Sequence, residues 1–241
     1  MRVHPPSLTG RIFHRGTTNT IRRVLDNWIP PVIRECSFFA WAVKRWLGPS
    51  AMADFKSRAF GMSDEEFSAA YAAIRGAYAT RPADTTGAQA DWIMANIGWP
   101  EVQILEIGPG NGAMTRRLES AGYDVTTLDL HRGSAAVKYV QGSVEKIPLP
   151  DKSADVIVLS HVIEHVRSLT RAFLELERVA RNRVIIVTPK QRHYRWTFDY
   201  HLHFFYSLDH LTSHIPRGSA NGLEIDGDLC MIWDVRGKAS D

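Results

Sequence analysis

Short apolar runs recur along the second half of the chain, separated by segments whose apolar residues fall three or four apart. Gln103–Ile107 (QILEI) is the first, short and largely apolar, as a parallel strand covered on both faces should be. Gly108, Gly110 and Gly112 follow at once, a backbone that can turn tightly and approach a ligand closely. Ala113–Ser120 then reads as a helix with Gly122 placed to end it, and Asp124–Leu130 reads as a second strand. Further strands are expected near Ala136–Val140, over Asp155–Leu159 and over Val184–Thr188. Between the last two, Leu169–Ala180 reads as a helix capped by Ser168, with Leu169, Phe173, Leu176 and Val179 toward the sheet. Ser207 caps a short helix to His214, and Gly222–Arg236 alternates around Asp226-Gly227 as a hairpin does. This order predicts an α/β, Rossmann-like doubly wound sheet, mostly parallel, ending in a C-terminal antiparallel hairpin.

The first part of the chain has a different pattern. Residues 1–20 are polar, basic and without periodicity. After Pro30-Pro31, the residues Val32, Ile33, Cys36, Phe39, Ala40, Val43, Trp46 and Leu47 fall in one arc at helical spacing, and Gly48-Pro49 ends the pattern. The opposite face carries Arg34, Lys44 and Arg45 together with Phe38 and Trp41. Aromatic side chains among basic ones suit a membrane surface, an anionic lipid or a lid over a substrate; the plainer alternative is a face packed on the α/β domain. Ser63 and Glu66 form a capping-box pair for a helix over Asp64–Tyr78, Arg81–Gly87 reads as a linker, and Gln89–Asn96 as the helix before the first strand. Residues 1–88 are thus an N-terminal helical extension, a basic arm and cap, and residues 89–241 the α/β domain.

Charge sharpens this division. The whole chain has 241 residues, 44% apolar, and a net charge of +3. Residues 1–58 hold ten Lys/Arg against three Asp/Glu, whereas the remainder holds nineteen against twenty-three. An α/β domain that is mildly acidic carries no strong nucleic-acid signal. Cys36 and Cys230 show no paired spacing, which disfavours a disulfide framework or zinc ribbon. The N-terminus lacks an apolar core like that of a signal peptide, and the apolar run Cys36–Val43 is shorter than the ~20 residues that span a bilayer. A cytoplasmic location is expected, with peripheral membrane contact through the N-terminal helix.

The glycine loop implies a nucleoside-containing cofactor but does not choose it. Gly108, Gly110 and Ala113 also satisfy the dinucleotide pattern G-x-G-x-x-G/A. Glu106 tilts the choice: a carboxylate two residues before the first glycine suits a ligand with a positive amino group and not a pyrophosphate. The spacing Glu106-x-Gly108-x-Gly110-x-Gly112 resembles the first motif of class I S-adenosylmethionine (SAM)-dependent methyltransferases. Val140–Pro150, Ala154–Val166 and Arg183–Lys190 resemble later segments of the same family, in the broad branch that includes ubiquinone-type O-methyltransferases.

The resemblance implies specific roles. Gly108, Gly110 and Gly112 would lie against the methionine and ribose, Glu106 would face the amino group, and Asp129, followed by Leu130, would hold the ribose hydroxyls. Ser143 and Val144 would meet the adenine, although the family often has an aspartate where Ser143 stands. Ser160 and His161 would line the methionine end. In some ubiquinone-type enzymes a Glu-x-x-Glu-His motif at this place binds a divalent ion. Here His161 replaces the first Glu before Glu164 and His165, so no metal is assigned.

The acceptor side is expected in His193–Phe205 (HYRWTFDYHLHFF), beyond the last parallel strand, closed over by the helix Val32–Leu47. Histidine can take a proton from a hydroxyl near neutral pH. In a strand-like stretch His201, His203 and Asp199 would share one face, which makes them the candidate catalytic group. The expected activity is methylation, on oxygen or nitrogen, of a small-molecule, lipid or glycan-precursor acceptor. The alternatives are an NAD(P)-dependent oxidoreductase, a SAM-binding non-catalytic or partner subunit, and an RNA or protein methyltransferase. No Asn-Pro-Pro-Tyr-type motif follows the fourth strand, which disfavours a DNA-base acceptor.

Overall fold

A computed structural model of the chain describes residues 24, 28–39, 41, 45, 55–70, 84–132, 138–193 and 201–236. Contacts divide the chain into one unit of Met1–Phe55 with Tyr194–Asp199 and another of Lys56–His193 with Tyr200–Asp241. The second unit therefore starts ahead of the sequence-based boundary at residue 88.

In the first unit, Pro31–Arg34 forms one helical turn, started by proline at its first position, where no amide hydrogen is needed. Residues 37–39, 41 and 45 are also helical, but Glu35 and Cys36 are not. That break interrupts the helical phase within the apolar arc expected from Val32 onward, of which Ala40, Val43, Trp46 and Leu47 lie outside the described residues. Val32 and Ile33 are exposed, as are Trp28, Phe38 and Trp41. Phe38 and Trp41 stack with ring centroids 5.7 Å apart.

The second unit is organised by a seven-stranded sheet: β1 (Gln103–Ile107), β2 (Asp124–Asp129), β3 (Lys138–Gln141), β4 (Ala154–Ser160), β5 (Ala180–Pro189), β6 (Ser219–Ile225) and β7 (Asp228–Asp234). The strand order is β3-β2-β1-β4-β5-β7-β6. The first five are parallel, and β7 pairs antiparallel with both β5 and β6. The chain reverses its direction of winding between β1 and β4, which opens a crevice beyond their carboxyl ends.

Alternation along the strands sorts the core into two layers. Leu105, Ile107, Leu128, Ile157, Leu159, Val184 and Ile186 face one layer with Phe173, Leu176 and Trp233. Ile104, Val125, Val156, Val158, Ile185 and Val187 face the other with Ile93, Ile97, Met114 and Leu118. The first layer is covered by α3 (Leu169–Val179) and the second by α1 (Gly87–Asn96) and α2 (Ala113–Ser120). Truncating a fully buried aromatic such as Phe173 would cost about 3–5 kcal/mol.

Caps end the helices as the sequence predicts. Ser168 Oγ accepts from Arg171 N, and Ser207 Oγ accepts from His210 N to start α4 (Leu208–Thr212). Ser63 and Glu66 exchange both capping bonds, and of the helix they start, residues 64–70 are described. One start differs: α1 begins at Gly87, capped by Thr86 with Gln89 in a second capping box, two residues before the expected Gln89. Residues 62–68 lie over the carboxyl-terminal edge of the sheet. Ser68 O accepts from or contacts the His131 ring at 3.0 Å, and Arg167 bonds Met62 O at 2.8 Å and pairs with Asp64. No helix of the described residues is long and apolar enough to cross a membrane.

Candidate functional site

The loop after β1 is built from left-handed backbone, with φ of 68° at Gly108, 56° at Gly110 and 76° at Gly112. Only glycine adopts such angles without strain. At Gly108 a second reason applies, because a Cβ would lie 2.5 Å from Val162 Cγ2. The glycine thus lets the loops after β1 and β4 touch. At Gly110 nothing lies within 4 Å of where a Cβ would stand, which leaves an open face on the crevice side of the loop.

Glu106 sits beneath this loop on β1 and is only 4% exposed. Its strand position turns it toward α2, where the Thr115 hydroxyl donates to Oε2 at 2.5 Å. Burial raises the Glu106 carboxyl to about 7, against the Thr115 bond, and Glu119 adds to the rise. A buried carboxyl of this kind gains from a cationic partner. Sequence reasoning missed Thr115, whose place one helix turn into α2 is visible only once the helix packs.

Asp129 ends β2 beside β1, as expected. Its Oδ1 accepts from the His131 amide at 3.2 Å, so the carboxylate also caps its own loop. Gly142 N donates to Asp129 O at 3.0 Å and Gln141 Nε2 to Leu130 O at 3.1 Å, which brings Asp129 and Leu130 beside Ser143 and Val144. Val144 is buried, and the Ser143 hydroxyl accepts from the Glu145 amide at 3.1 Å. The carboxyl ends of β1, β2 and β3 therefore carry Glu106, the glycines, Asp129 and Ser143 in one row.

After β4 the structure directs side chains differently from the sequence reading. The Ser160 hydroxyl lies 2.8 Å from the Thr85 hydroxyl. His161 has a left-handed φ of 56°, costly for a residue with a Cβ. Its ring lies between two carboxylates, with Nδ1 3.5 Å from Glu164 Oε1 and Nε2 3.4 Å from Asp228 Oδ2. Burial opposes a charge on this ring, but the bonds to Asp228 and Glu164 raise it to about 9. Burial likewise opposes the Glu164 anion, and His161 foremost holds it low, at about 2. Asp228 is in turn held by Gln89 Nε2 at 2.8 Å, and Glu164 Oε2 by the Thr188 hydroxyl at 3.1 Å. This buried network joins α1, β4, β5 and β7; its members are too far apart in sequence to carry a local signal. The side chains of Ser160 and His161 are thus committed to protein partners, and it is the Val162 side chain that this loop sets against Gly108.

The histidine segment is corrected in one respect. Residues 201–204 are not an extended strand: the amides of Leu202 and His203 both donate to Glu164 O, at 2.8 and 3.0 Å. Two consecutive amides turned to one carbonyl cannot alternate, so the two histidine rings have different neighbours. His201 Nδ1 lies 2.8 Å from Gln191 Oε1, and its ring is 4.9 Å from that of His165. His203 faces Phe60 at 6.3 Å, and burial pushes it down to about 4, a neutral and weakly basic imidazole at neutral pH. His193 accepts from or contacts Lys56 Nζ at 2.9 Å and meets Phe204 edge-on. Asp199, with Tyr194, Trp196, Phe198 and Tyr200, lies outside the described residues.

Residues 105–188 match the family model described as a methyltransferase domain. This stretch of the chain is similar to a methyltransferase domain. Malonyl-[acyl-carrier protein] O-methyltransferase of Serratia marcescens is 37% identical over 90 residues, which cover 34% of this chain and 35% of that protein. Ubiquinone biosynthesis O-methyltransferase of Rickettsia typhi is 28% identical over 105 residues, 38% of this chain and 42% of that protein. The match thus spans well under half the length of these curated relatives. A solved structure from Pyrococcus horikoshii superposes with a TM-score of 0.50 at 11% identity, over 66% of this chain and 98% of that one, a likeness of fold alone. S-adenosylmethionine is the cofactor that the likeness of the glycine motif to that of class I methyltransferases implies. The residues present fit it: a buried carboxyl for its ammonium, an open glycine face for its backbone-lined cradle, and Asp129 at the neighbouring strand end for its ribose.

Proposed function

We propose that the chain is an S-adenosylmethionine-dependent methyltransferase acting on a small-molecule, lipid or glycan-precursor acceptor. The observation that carries this is Glu106, a buried carboxyl under a left-handed glycine loop at the point where the sheet reverses its winding. A pyrophosphate would be repelled there, whereas an amino-acid ammonium would be held. Bound S-adenosylmethionine supplies an activated methyl group, and the task left to the protein is alignment. Glu106 would hold the amino group, Asp129 the ribose hydroxyls, and the Ser143–Val144 turn the adenine. The loop Ser160–Val162, braced from behind by the His161 network, would fix the methionine end against Gly108.

Both named relatives are O-methyltransferases, which favours oxygen over nitrogen as the atom methylated. Such a reaction needs a base only when the acceptor oxygen carries a proton. Of the candidate histidines, His201 is the better placed for that role, since partial burial leaves His203 weakly basic. Exposed Trp28, Val32, Phe38 and Trp41, in a segment with an excess of basic residues, support contact with an anionic membrane surface, which would suit a lipid-linked acceptor.

Calorimetry with S-adenosylmethionine, S-adenosylhomocysteine and NAD tests the cofactor reading, and transfer of a labelled methyl group to a panel of hydroxylated and amine acceptors tests the activity. Tight NAD binding without S-adenosylmethionine binding would reverse the reading in favour of an oxidoreductase.

A further inference from the structure

Residues 64–70 are helical, capped by Ser63, and the segment 62–68 is fastened to two loops on either side of the glycine loop. At Ser68 it meets the loop after β2, where His131 Nε2 lies 3.0 Å from Ser68 O and 3.2 Å from Ser68 Oγ. A carbonyl only accepts, so Nε2 carries the proton and donates. At its start the segment meets the loop after β4. Arg167 Nη1 donates to Met62 O at 2.8 Å, Nη2 pairs with Asp64, and the guanidinium lies 4.8 Å over the ring of buried Phe67.

In the sheet β1 lies between β2 and β4. A segment fastened to the loops of both neighbours crosses the carboxyl end of β1, where the glycine loop starts. Strands two places apart stand about 9.5 Å from each other; one helical turn advances about 5.4 Å, and the Arg167 side chain spans the remainder. Each fastening is also one step from a residue assigned above to the cofactor. The His131 amide donates to Asp129 Oδ1 at 3.2 Å, so the ring that holds Ser68 stands on the loop shaped by the ribose acid. The Arg167 and Ser168 amides donate to Glu145 Oε1 at 2.5 and 3.2 Å, and the Glu145 amide donates to Ser143 Oγ at 3.1 Å. Arg167 is thereby tied to the adenine turn.

We infer that residues 62–68 are a clasp closed over the bound cofactor, and that Arg167 and His131 are the positioning residues that hold it shut. The clasp rests on the S-adenosylmethionine reading of the crevice. Cofactor leaves only when the clasp opens, and cofactor beneath it favours the closed state by ordering the two loops from which His131 and Arg167 reach out. Arg167 uses the fork of its guanidinium, with one donor on a carbonyl, another on a carboxylate and the plane on an aromatic ring, which a lysine cannot reproduce. Asp64 is 85% exposed, so its ion pair adds little, and the Met62 carbonyl and the Phe67 ring carry the closure.

The full chain is tested with S-adenosylhomocysteine as the probe. Amide hydrogen exchange is compared with and without it, and its release is timed in a competitor chase. Residues 62–68 should exchange more slowly in the complex. His131→Ala and Arg167→Ala keep the backbone amides that serve Asp129 and Glu145. Both variants should therefore still bind the probe, release it about tenfold faster, and lose the protection of residues 62–68. Arg167→Lys should behave like Arg167→Ala, and Asp64→Ala like wild type. No binding of the probe to the wild-type chain would remove the cofactor reading and the clasp with it. Ordinary binding with unmoved exchange at residues 62–68, or unchanged release from folded Arg167→Ala, overturns the clasp alone; the wild-type exchange decides the matter even if that variant does not fold.

Discussion

Cofactor binding should be coupled to a proton through Glu106. The free protein holds this carboxyl at about 7 because burial penalises its charge. A bound ammonium reverses that penalty, so binding selects the ionised form and releases the proton below pH 7. With a free-state value of about 7, half of the sites are ionised at about pH 7 and roughly 3% at about pH 5.5, so apparent affinity should fall about 15-fold over that interval. A ligand α-amino group near ~7.7–8.0 stays protonated throughout, so the slope belongs to the protein. Calorimetry in buffers of different ionisation enthalpy should register release of about half a proton at pH 7. Glu106→Gln preserves the shape and can still accept from Thr115, so its affinity should be weaker but flat with pH. The unfolded chain titrates near 4.5, so a raised folded value makes the free protein lose stability as pH rises from 4.5 through 7. The Gln variant, without cofactor, should therefore melt higher than wild type at pH 8, by an amount on the order of 3 kcal/mol or less. A wild-type affinity that is flat between pH 5.5 and 7, or a Gln variant with the same slope, refutes this account of Glu106.

Three further outcomes are expected. Asp129→Ala should weaken S-adenosylhomocysteine binding at least tenfold if the lost bonds contribute ~1.5–3 kcal/mol; unchanged affinity in a folded variant would remove Asp129 from the site. His161→Asn strips the cation from Glu164 and Asp228 and should cost about 3–5 kcal/mol. The His161 contribution is fully present below 6.5 and lost as pH rises through about 9, whereas that of Glu164 is present above 4.5 and lost as pH falls through about 2. The gap in melting temperature between wild type and variant should thus be widest between pH 4.5 and 6.5, and a gap independent of pH would contradict the buried ion pairs. Finally, the chain should sediment with vesicles containing anionic lipid and much less with neutral ones, with Trp28→Ala/Trp41→Ala reducing the effect; equal recovery with both vesicle types would exclude the electrostatic part.

The sequence by itself determined the strands, the glycine turn, the caps and the closing hairpin. Each rests on local causes: runs of apolar residues buried on both faces, glycine's access to left-handed backbone, and hydroxyls at Ser63, Ser168 and Ser207 that accept from amides three residues on. The row of Glu106, the glycines and Asp129 follows from the same local causes, since these residues sit within one strand–loop–helix–strand unit. The helix expected over Val32–Leu47 and the shared face expected for His201 and His203 were less secure, because a single turn at Glu35–Cys36 or at Glu164 O resets the period on which both rested. Only the tertiary structure decided where the buried charges go. Thr115, Gln89, Thr188, Gln191 and Asp228 act through partners supplied by other elements. His161 reads on a local helix face with Glu164 and His165, yet its ring is drawn to Asp228 from the far hairpin and His201 comes to His165 instead. Desolvation makes an unpaired buried charge so costly that its partner is chosen by the packing of the whole sheet and not by its neighbours along the chain.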